Sequence, residues 1–183
     1  MRLDHIAYRV ADRTSACLFF RDAFNYRIQD DFEITLEDGS VAKCISLEPP
    51  EKQGANMEFG IAPFVLNGSE SEYHMAPEIF ISSGPPGSLI DRWVKDWGRG
   101  VGGIHHLAYQ VENVQKTMEH WKAKGWLFTT PEPLKCESLT QVFSQPNPFS
   151  NIIYEFIERK GQRGFCKENV GRLMFSTANT IKP

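Results

Sequence analysis

The sequence predicts an α+β chain built from two similar βαβββ halves. Two observations carry this. Residues 5–12, His-Ile-Ala-Tyr-Arg-Val-Ala-Asp, return at 106–113 as His-Leu-Ala-Tyr-Gln-Val-Glu-Asn, with four of eight positions identical at an offset of 101. The segments after the two copies are also alike: an amphipathic stretch of about three turns, a break at Asn25 or Gly125, then aromatic and branched residues. The 183 residues, 41% hydrophobic and 23% charged, have an ordinary globular composition, and their number predicts one domain.

In chain order, the strand that starts at His5 leads into a helix over Thr14–Phe24, with Ala16, Leu18, Phe19, Phe20, Ala23 and Phe24 as its apolar residues. Tyr26-Arg27-Ile28 resumes the extended chain, and Phe32–Leu36 alternates with period two, as a half-buried strand does. Glu37-Asp38-Gly39-Ser40 carries the Asp-Gly hairpin signature, and Val41–Leu47 is the returning strand. Glu78–Ser82 is a further strand before the Gly84-Pro85-Pro86-Gly87 breaker. Between the halves, Leu89, Ile90, Trp93, Val94 and Trp97 form one helical stripe, so Ser88–Trp97 reads as a linking helix with Trp93 and Trp97 as packing residues. The second half repeats the order: the strand at His106, a helix over Val114–Lys124, a strand at Trp126-Leu127-Phe128, then strands over Leu139–Ser144 and Asn151–Glu158 about a Pro146-Asn147-Pro148 turn. Residues 1–87 and 101–158 are thus the two modules, 88–97 the link and 159–183 a tail or lid with a short helix at Glu168–Phe175. Pro49–Ala76 reads either as a strand around 56–62 or as a loop inserted over the site.

Composition narrows the function classes. No run reaches the roughly 18 apolar residues of a membrane helix, and the start at Met1-Arg2-Leu3-Asp4-His5 has no apolar signal core, which predicts a cytoplasmic protein. A net charge of -3 and a pI near 6.0 predict no nucleic-acid or membrane partner. The four cysteines, Cys17, Cys44, Cys136 and Cys166, form no C-x-x-C pair and read as reduced thiols. No phosphate loop, nucleophile elbow or dinucleotide fingerprint is present.

The repeat places a histidine at the same point of each copy, His5 and His106. Ala7 and Ala108 share their faces by strand alternation and leave room in front of each imidazole. Glu155 lies mid-strand between Ile153 and Ile157, where a carboxylate is costly to desolvate unless something pairs with it. Two imidazoles and one carboxylate make a three-residue set with open positions, the kind that holds non-haem iron(II). The plain alternative is a pair of hydrogen-bonded histidines and a Glu155 paired with Arg159 or Lys43. Glu58 and Glu78 are the next carboxylates to consider. Alternation puts His105 on the opposite side from His106, outside the site. His74 reads as a surface residue and His120 as solvent-facing. Gln141 reads either as an ordinary strand residue or as a hydrogen-bonding partner of substrate, with Phe143 on its face.

Leu3-Asp4-His5-Ile6-Ala7, Gly103-Ile104-His105-His106-Leu107-Ala108 and Tyr154-Glu155-Phe156-Ile157 together resemble the vicinal-oxygen-chelate superfamily, which includes glyoxalase I, methylmalonyl-CoA epimerase, fosfomycin resistance proteins and several dioxygenases. The resemblance spans nearly the whole chain except 49–76. It implies paired βαβββ modules forming one cupped mixed sheet around a divalent metal held by His5, His106 and Glu155. Within the superfamily the chain is most similar to the C-terminal half of 4-hydroxyphenylpyruvate dioxygenases, through Gln141-Val142-Phe143 and the tail Gly164-Phe165-Cys166-Lys167-Glu168-Asn169-Val170. That likeness implies an Fe(II) dioxygenase of an α-keto acid or related small oxyacid, with Gln141 as a catalytic and substrate-orienting residue and Phe143 and Phe165 walling the pocket. Val170 stands where that family has an aromatic, and the long insertion of its second module is missing. Methylmalonyl-CoA epimerase is the second likeness. Its fourth metal ligand would fall at Asp38-Gly39, and its proton-moving carboxylate near Glu33 or Glu37. It implies an isomerase, epimerase or lyase using cobalt, manganese, nickel or zinc. A third possibility is a resistance-type module that binds a small ligand without turnover. A homodimer is compatible with any of these.

Overall fold

The structure, a computed structural model, describes residues 1–36, 38–50, 76–161 and 164–177. Glu37, Glu58, His74 and most of 49–76, to which the sequence assigns the roles above, lie outside these residues. The described residues form one eight-stranded sheet and four helices. In chain order these are β1 (Arg2–Val10), α1 (Arg13–Phe24), β2 (Arg27–Thr35), β3 (Val41–Glu48), β4 (Glu78–Ser83), α2 (Leu89–Asp96), β5 (Gly102–Gln110), α3 (Val114–Ala123), β6 (Leu134–Lys135), β7 (Leu139–Phe143), β8 (Ile153–Arg159) and α4 (Lys167–Ser176).

The sheet order β2-β3-β4-β1-β5-β8-β7-β6 is the expected repeat made visible. Each module contributes four strands in the same relative order, and the two join where β1 runs antiparallel to β5. Within each module one parallel pair, β1 with β4 and β5 with β8, flanks that seam. At the seam His5 pairs with Ala108 and Ala7 with His106, so the two histidines are related across the join. Gly102 permits the close approach there: its φ is +136°, and a Cβ would lie 2.5 Å from the Arg9 carbonyl oxygen.

Caps explain the helix limits. The Asp12 carboxylate accepts from the Ser15 backbone N–H, and Asn25 closes α1 in the left-handed conformation at φ 57°. Asn113 caps α3 in the same way as Asp12 caps α1, at the equivalent point of the repeat. Ser88 caps α2, whose stripe of Leu89, Ile90, Trp93 and Val94 is buried as the periodicity predicts; Trp97, expected to pack with them, is exposed just past the helix end.

Two features of the strands differ from expectation. The runs expected at Tyr26–Ile28 and Phe32–Leu36 merge into one strand, β2 (Arg27–Thr35), whose pairing shifts register between Ile28 and Asp30. In module two, Trp126–Phe128 forms no strand; Phe128 makes one isolated bridge to Ser144, and β6 comes later, at Leu134–Lys135. Pro131 and Pro133 lie between, and proline cannot donate to a ladder.

The sheet buries both faces. One face packs Cys17 of α1 against Ile45, Leu47, Ile79 and Ile81, and Val114 and Met118 of α3 against Val142 and Phe156. The other face carries His5, Ala7 and Glu155. It is covered by α2 and by Leu173 and Met174 of α4, with Phe165 and Val170 packed alongside.

Candidate metal centre

β1, β5 and β8 are adjacent, and each brings one side chain to the same point of the covered face. Glu155 Oε2 lies 3.2 Å from His5 Nε2 and 3.3 Å from His106 Nε2, and the two imidazole nitrogens are 3.3 Å apart. All three residues are buried, at 2%, 8% and 2% exposed for His5, His106 and Glu155. Among the described residues this is the one cluster of histidine, cysteine or acidic side chains close enough to share an ion.

The rear of each imidazole is held. His5 Nδ1 donates to Asp4 Oδ1 at 2.9 Å. Asp4 in turn accepts from Arg159 Nε and Nη2, both at 2.7 Å. Arg159 Nη1 donates to the Gly164 carbonyl at 2.7 Å, so the same guanidinium ties the first histidine to the residue before Phe165. His106 Nδ1 meets His105 Nδ1 at 2.9 Å. Anchored Nδ1 atoms leave both Nε2 atoms for the centre, the arrangement second partners produce around metal-binding histidines.

His105 therefore does not lie outside the site. The pairing of β1 with β5 jumps from Ala7–His106 to Tyr8–Ile104, leaving His105 as the extra residue of a β-bulge. The bulge breaks alternation and turns His105 inward, 4% exposed and 5.5 Å from the Trp93 ring. A matching shift between Leu3 and His5 leaves Asp4 as the extra residue of β1. Both residues that back a histidine are thus bulged, at equivalent points of the repeat. Strict alternation conceals this; the doubled polar residues Asp4-His5 and His105-His106 are its signal.

Charge in the metal-free cluster is shared unequally. Burial alone would lower the pKa of His5, but Glu155 and Asp4 outweigh it and lift it to about 9. Burial dominates at His106, which Glu155 offsets only in part, and it falls to about 4. Burial would raise Glu155, but the adjacent His5 charge and the two imidazole hydrogen bonds hold it down to about 2. The cluster thus holds one proton, on His5, beside an ionised Glu155. Asp4 is likewise held well below the carboxylate range: its burial is outweighed by Arg159 and His5. A divalent cation in place of that proton fits the donor set: two neutral imidazole nitrogens and one carboxylate.

The other candidate residues fall into place around this centre. Gln141 is 4% exposed and lines the same cavity, and among the described residues its side-chain amide makes no hydrogen bond. The Phe143 ring lies 4.7 Å from His106. Phe165 lies edge-on to His5 at 4.8 Å and 4.7 Å from Phe80, and the space left in front of the cluster is about 30 Å³, room for little more than a water. Glu155 pairs with neither Arg159 nor Lys43 as an ion pair; Lys43 faces Glu33 at 3.8 Å. Glu78 shares the face of His5 but sits 3.7 Å from Arg159, outside the cluster. Asp38 lies in the exposed β2–β3 turn, accepting from the Ser40 backbone N–H at 2.9 Å, and is no fourth ligand. The repeat shows what stands there instead. Glu155 pairs with Ala108 as Phe80 pairs with Ala7, so Phe80 is the module-one counterpart of Glu155.

Several solved structures share this fold. A variant of 4-hydroxymandelate synthase from Streptomyces coelicolor is 19% identical, with 98% of this chain and 53% of that one covered at a TM-score of 0.69; the chain spans about half its length. A methylmalonyl-CoA epimerase is 19% identical over 87% of this chain and 95% of that one, with a TM-score of 0.60. The methylmalonyl-CoA epimerase from Mycobacterium tuberculosis is 16% identical over 86% and 87%, with a TM-score of 0.59. None of the curated proteins matches in sequence. The pattern of the Glyoxalase/Bleomycin resistance protein/Dioxygenase superfamily matches residues 4–137, more than half of the chain, and the chain belongs to that superfamily.

Proposed function

We propose that this chain is a metal-dependent enzyme of the dioxygenase kind, acting on an α-keto acid or related small oxyacid. His5, His106 and Glu155 are its metal ligands and Fe(II) its metal. The observation that carries the reading is Phe80 at the position related by the repeat to Glu155. Module one would then offer one ligand and module two would offer two, with the apolar Phe80 at the fourth place. His5, His106 and Glu155 would hold the Fe(II), which would supply Lewis-acid and oxygen-activating chemistry.

The chain's own residues do the rest. Asp4 and His105 hold the imidazoles with Nε2 forward. Gln141 offers an amide N–H to a keto or carboxylate oxygen, orienting the substrate against the metal. Phe143 and Phe165 form the apolar walls, and Phe165 on His5 excludes water. An isomerase of the same fold needs a group that moves a substrate proton. Among the described residues Glu155 is the one carboxylate lining the cavity, and Glu33 is exposed on β2. The similar structures include both chemistries, so the choice rests on these side chains.

Elemental analysis of protein purified without oxygen, beside His5→Ala and Glu155→Ala, tests the reading. Near-stoichiometric iron, absent from both variants, followed by oxygen uptake with α-keto acids, is expected. Stoichiometric cobalt, manganese, nickel or zinc with turnover that needs no oxygen would replace it with isomerase or lyase chemistry. Tight ligand binding without metal or turnover would leave a binding module.

A further inference from the structure

Arg9 lies on the same face of β1 as His5 and Ala7, lines the same cavity, and is 2% exposed. A guanidinium so deep needs a counter-charge. Among the described residues Arg9 has none. It makes one side-chain hydrogen bond, Nη2 to Thr177 Oγ1 at 3.2 Å, and lies 5.9 Å from the centroid of the Trp93 ring. Cys44, its titratable neighbour on β3, is pushed by burial up to about 12 and is a neutral thiol. Asp96 borders a neighbouring cavity of about 210 Å³ with Arg9 but forms no ion pair with it. Burial pulls the Arg9 pKa down to about 9, which still leaves a cation at neutral pH. The contrast is Arg159, whose side chain is 8% exposed and which is clamped by Asp4.

A second buried donor opens on the same cavity. His105 Nε2 has no hydrogen-bond partner among the described residues. With a metal on His106 Nε2, the hydrogen of that ring would sit on Nδ1 and be donated to His105 Nδ1, 2.9 Å away. His105 Nε2 would then carry its own hydrogen, a donor with no partner among the described residues, on the same cavity as Arg9. Along β1, Arg9 follows His5 by four residues, about 13 Å of strand, so the two features lie at opposite ends of one face.

We infer that Arg9, with His105 Nε2, is an anion-binding subsite that takes a second carboxylate of the substrate, distinct from the oxygens that face His5, His106 and Glu155. The substrate class is then a small dicarboxylic oxyacid. One guanidinium matches the single charge of a carboxylate and would leave a phosphate dianion half-compensated. This rests on the cavity being the substrate site, and not on the choice of dioxygenase over isomerase.

The test uses the full chain loaded with zinc, which does not turn over with oxygen. Calorimetry compares 2-oxobutyrate with 2-oxoglutarate, the same head group with and without a second carboxylate. Loss of one partner of a buried charge pair costs well over tenfold in affinity, so 2-oxoglutarate is expected to bind at least about tenfold more tightly. Arg9→Gln should cancel that preference while zinc stoichiometry stays the same, and Arg9→Lys should restore part of it. Equal affinities in the wild type, no binding of 2-oxoglutarate, or a preference that survives Arg9→Gln would overturn the inference. Failure to take up zinc would instead strike at the metal reading. The same titration on the metal-free chain then still reads Arg9, because 2-oxoglutarate binding lost in Arg9→Gln supports the subsite and absent binding overturns it.

Discussion

Asp4 shows how a single side chain away from the ligand set shapes the centre. It holds the ring of His5 and is itself held by two hydrogen bonds from Arg159. Partners of this kind are commonly worth about 10–100-fold in metal affinity. Asp4→Asn keeps the size but loses the charge that favours His5 Nδ1–H, so zinc affinity should fall by that order, measured by competition with a chelator. An unchanged affinity would mean that Asp4 serves only Arg159. At this scale the cluster of His5, His106 and Glu155 is legible in the sequence, because a histidine repeated at an equivalent place and a carboxylate between two isoleucines are both unusual. Arg9 is not. In the sequence it is one polar residue of an alternating strand, and its lack of a counter-charge among the described residues exists only once its neighbours are in place.

The elements divide the labour between the faces of the sheet. Helices α1 and α3 cover one face and contribute nothing to the cluster, whereas α2 and α4 cover the other and enclose it. Met118 of α3 is fully buried against the far side of β7 and β8. Met118→Ala should destabilise the fold by about 2–5 kcal/mol in denaturant unfolding, yet leave metal uptake at stoichiometry. Loss of metal in a variant that remains folded would mean that the two faces are coupled through β8. The helices are readable from periodicity and caps, and each lies within about two residues of its expected limits, as boundaries usually do. The short β6 is not readable in this way, because Phe128 has strand character but Pro131 and Pro133 interrupt its ladder.

For the whole molecule, the protonation of the cluster links pH, metal and stability. His106 is lowered to about 4 from 6.5, so the unfolded chain binds the extra proton in that interval, and stability rises with pH across it. His5 is raised to about 9 from 6.5, so its contribution is complete below 6.5 and is lost as pH climbs through about 9. The metal-free chain should therefore show its highest melting temperature near pH 6.5 and decline on both sides. Bound zinc replaces the His5 proton, so the loaded chain should keep its melting temperature between pH 6.5 and 9. A metal-free profile that rises steadily to pH 9 would contradict the shared proton.

The amino-acid order alone contains the two-fold repeat, the strand and helix periodicities and the candidates His5, His106 and Glu155, because each is a local pattern or a comparison of one segment with another. The bulges that turn Asp4 and His105 toward the histidines, the Phe80 counterpart of Glu155 and the burial of Arg9 emerge only in the assembled sheet. Each depends on which residue of a neighbouring strand lies opposite. Register across the β1–β5 seam and along β4 and β8 is set by packing of the whole sheet, and no single strand carries it.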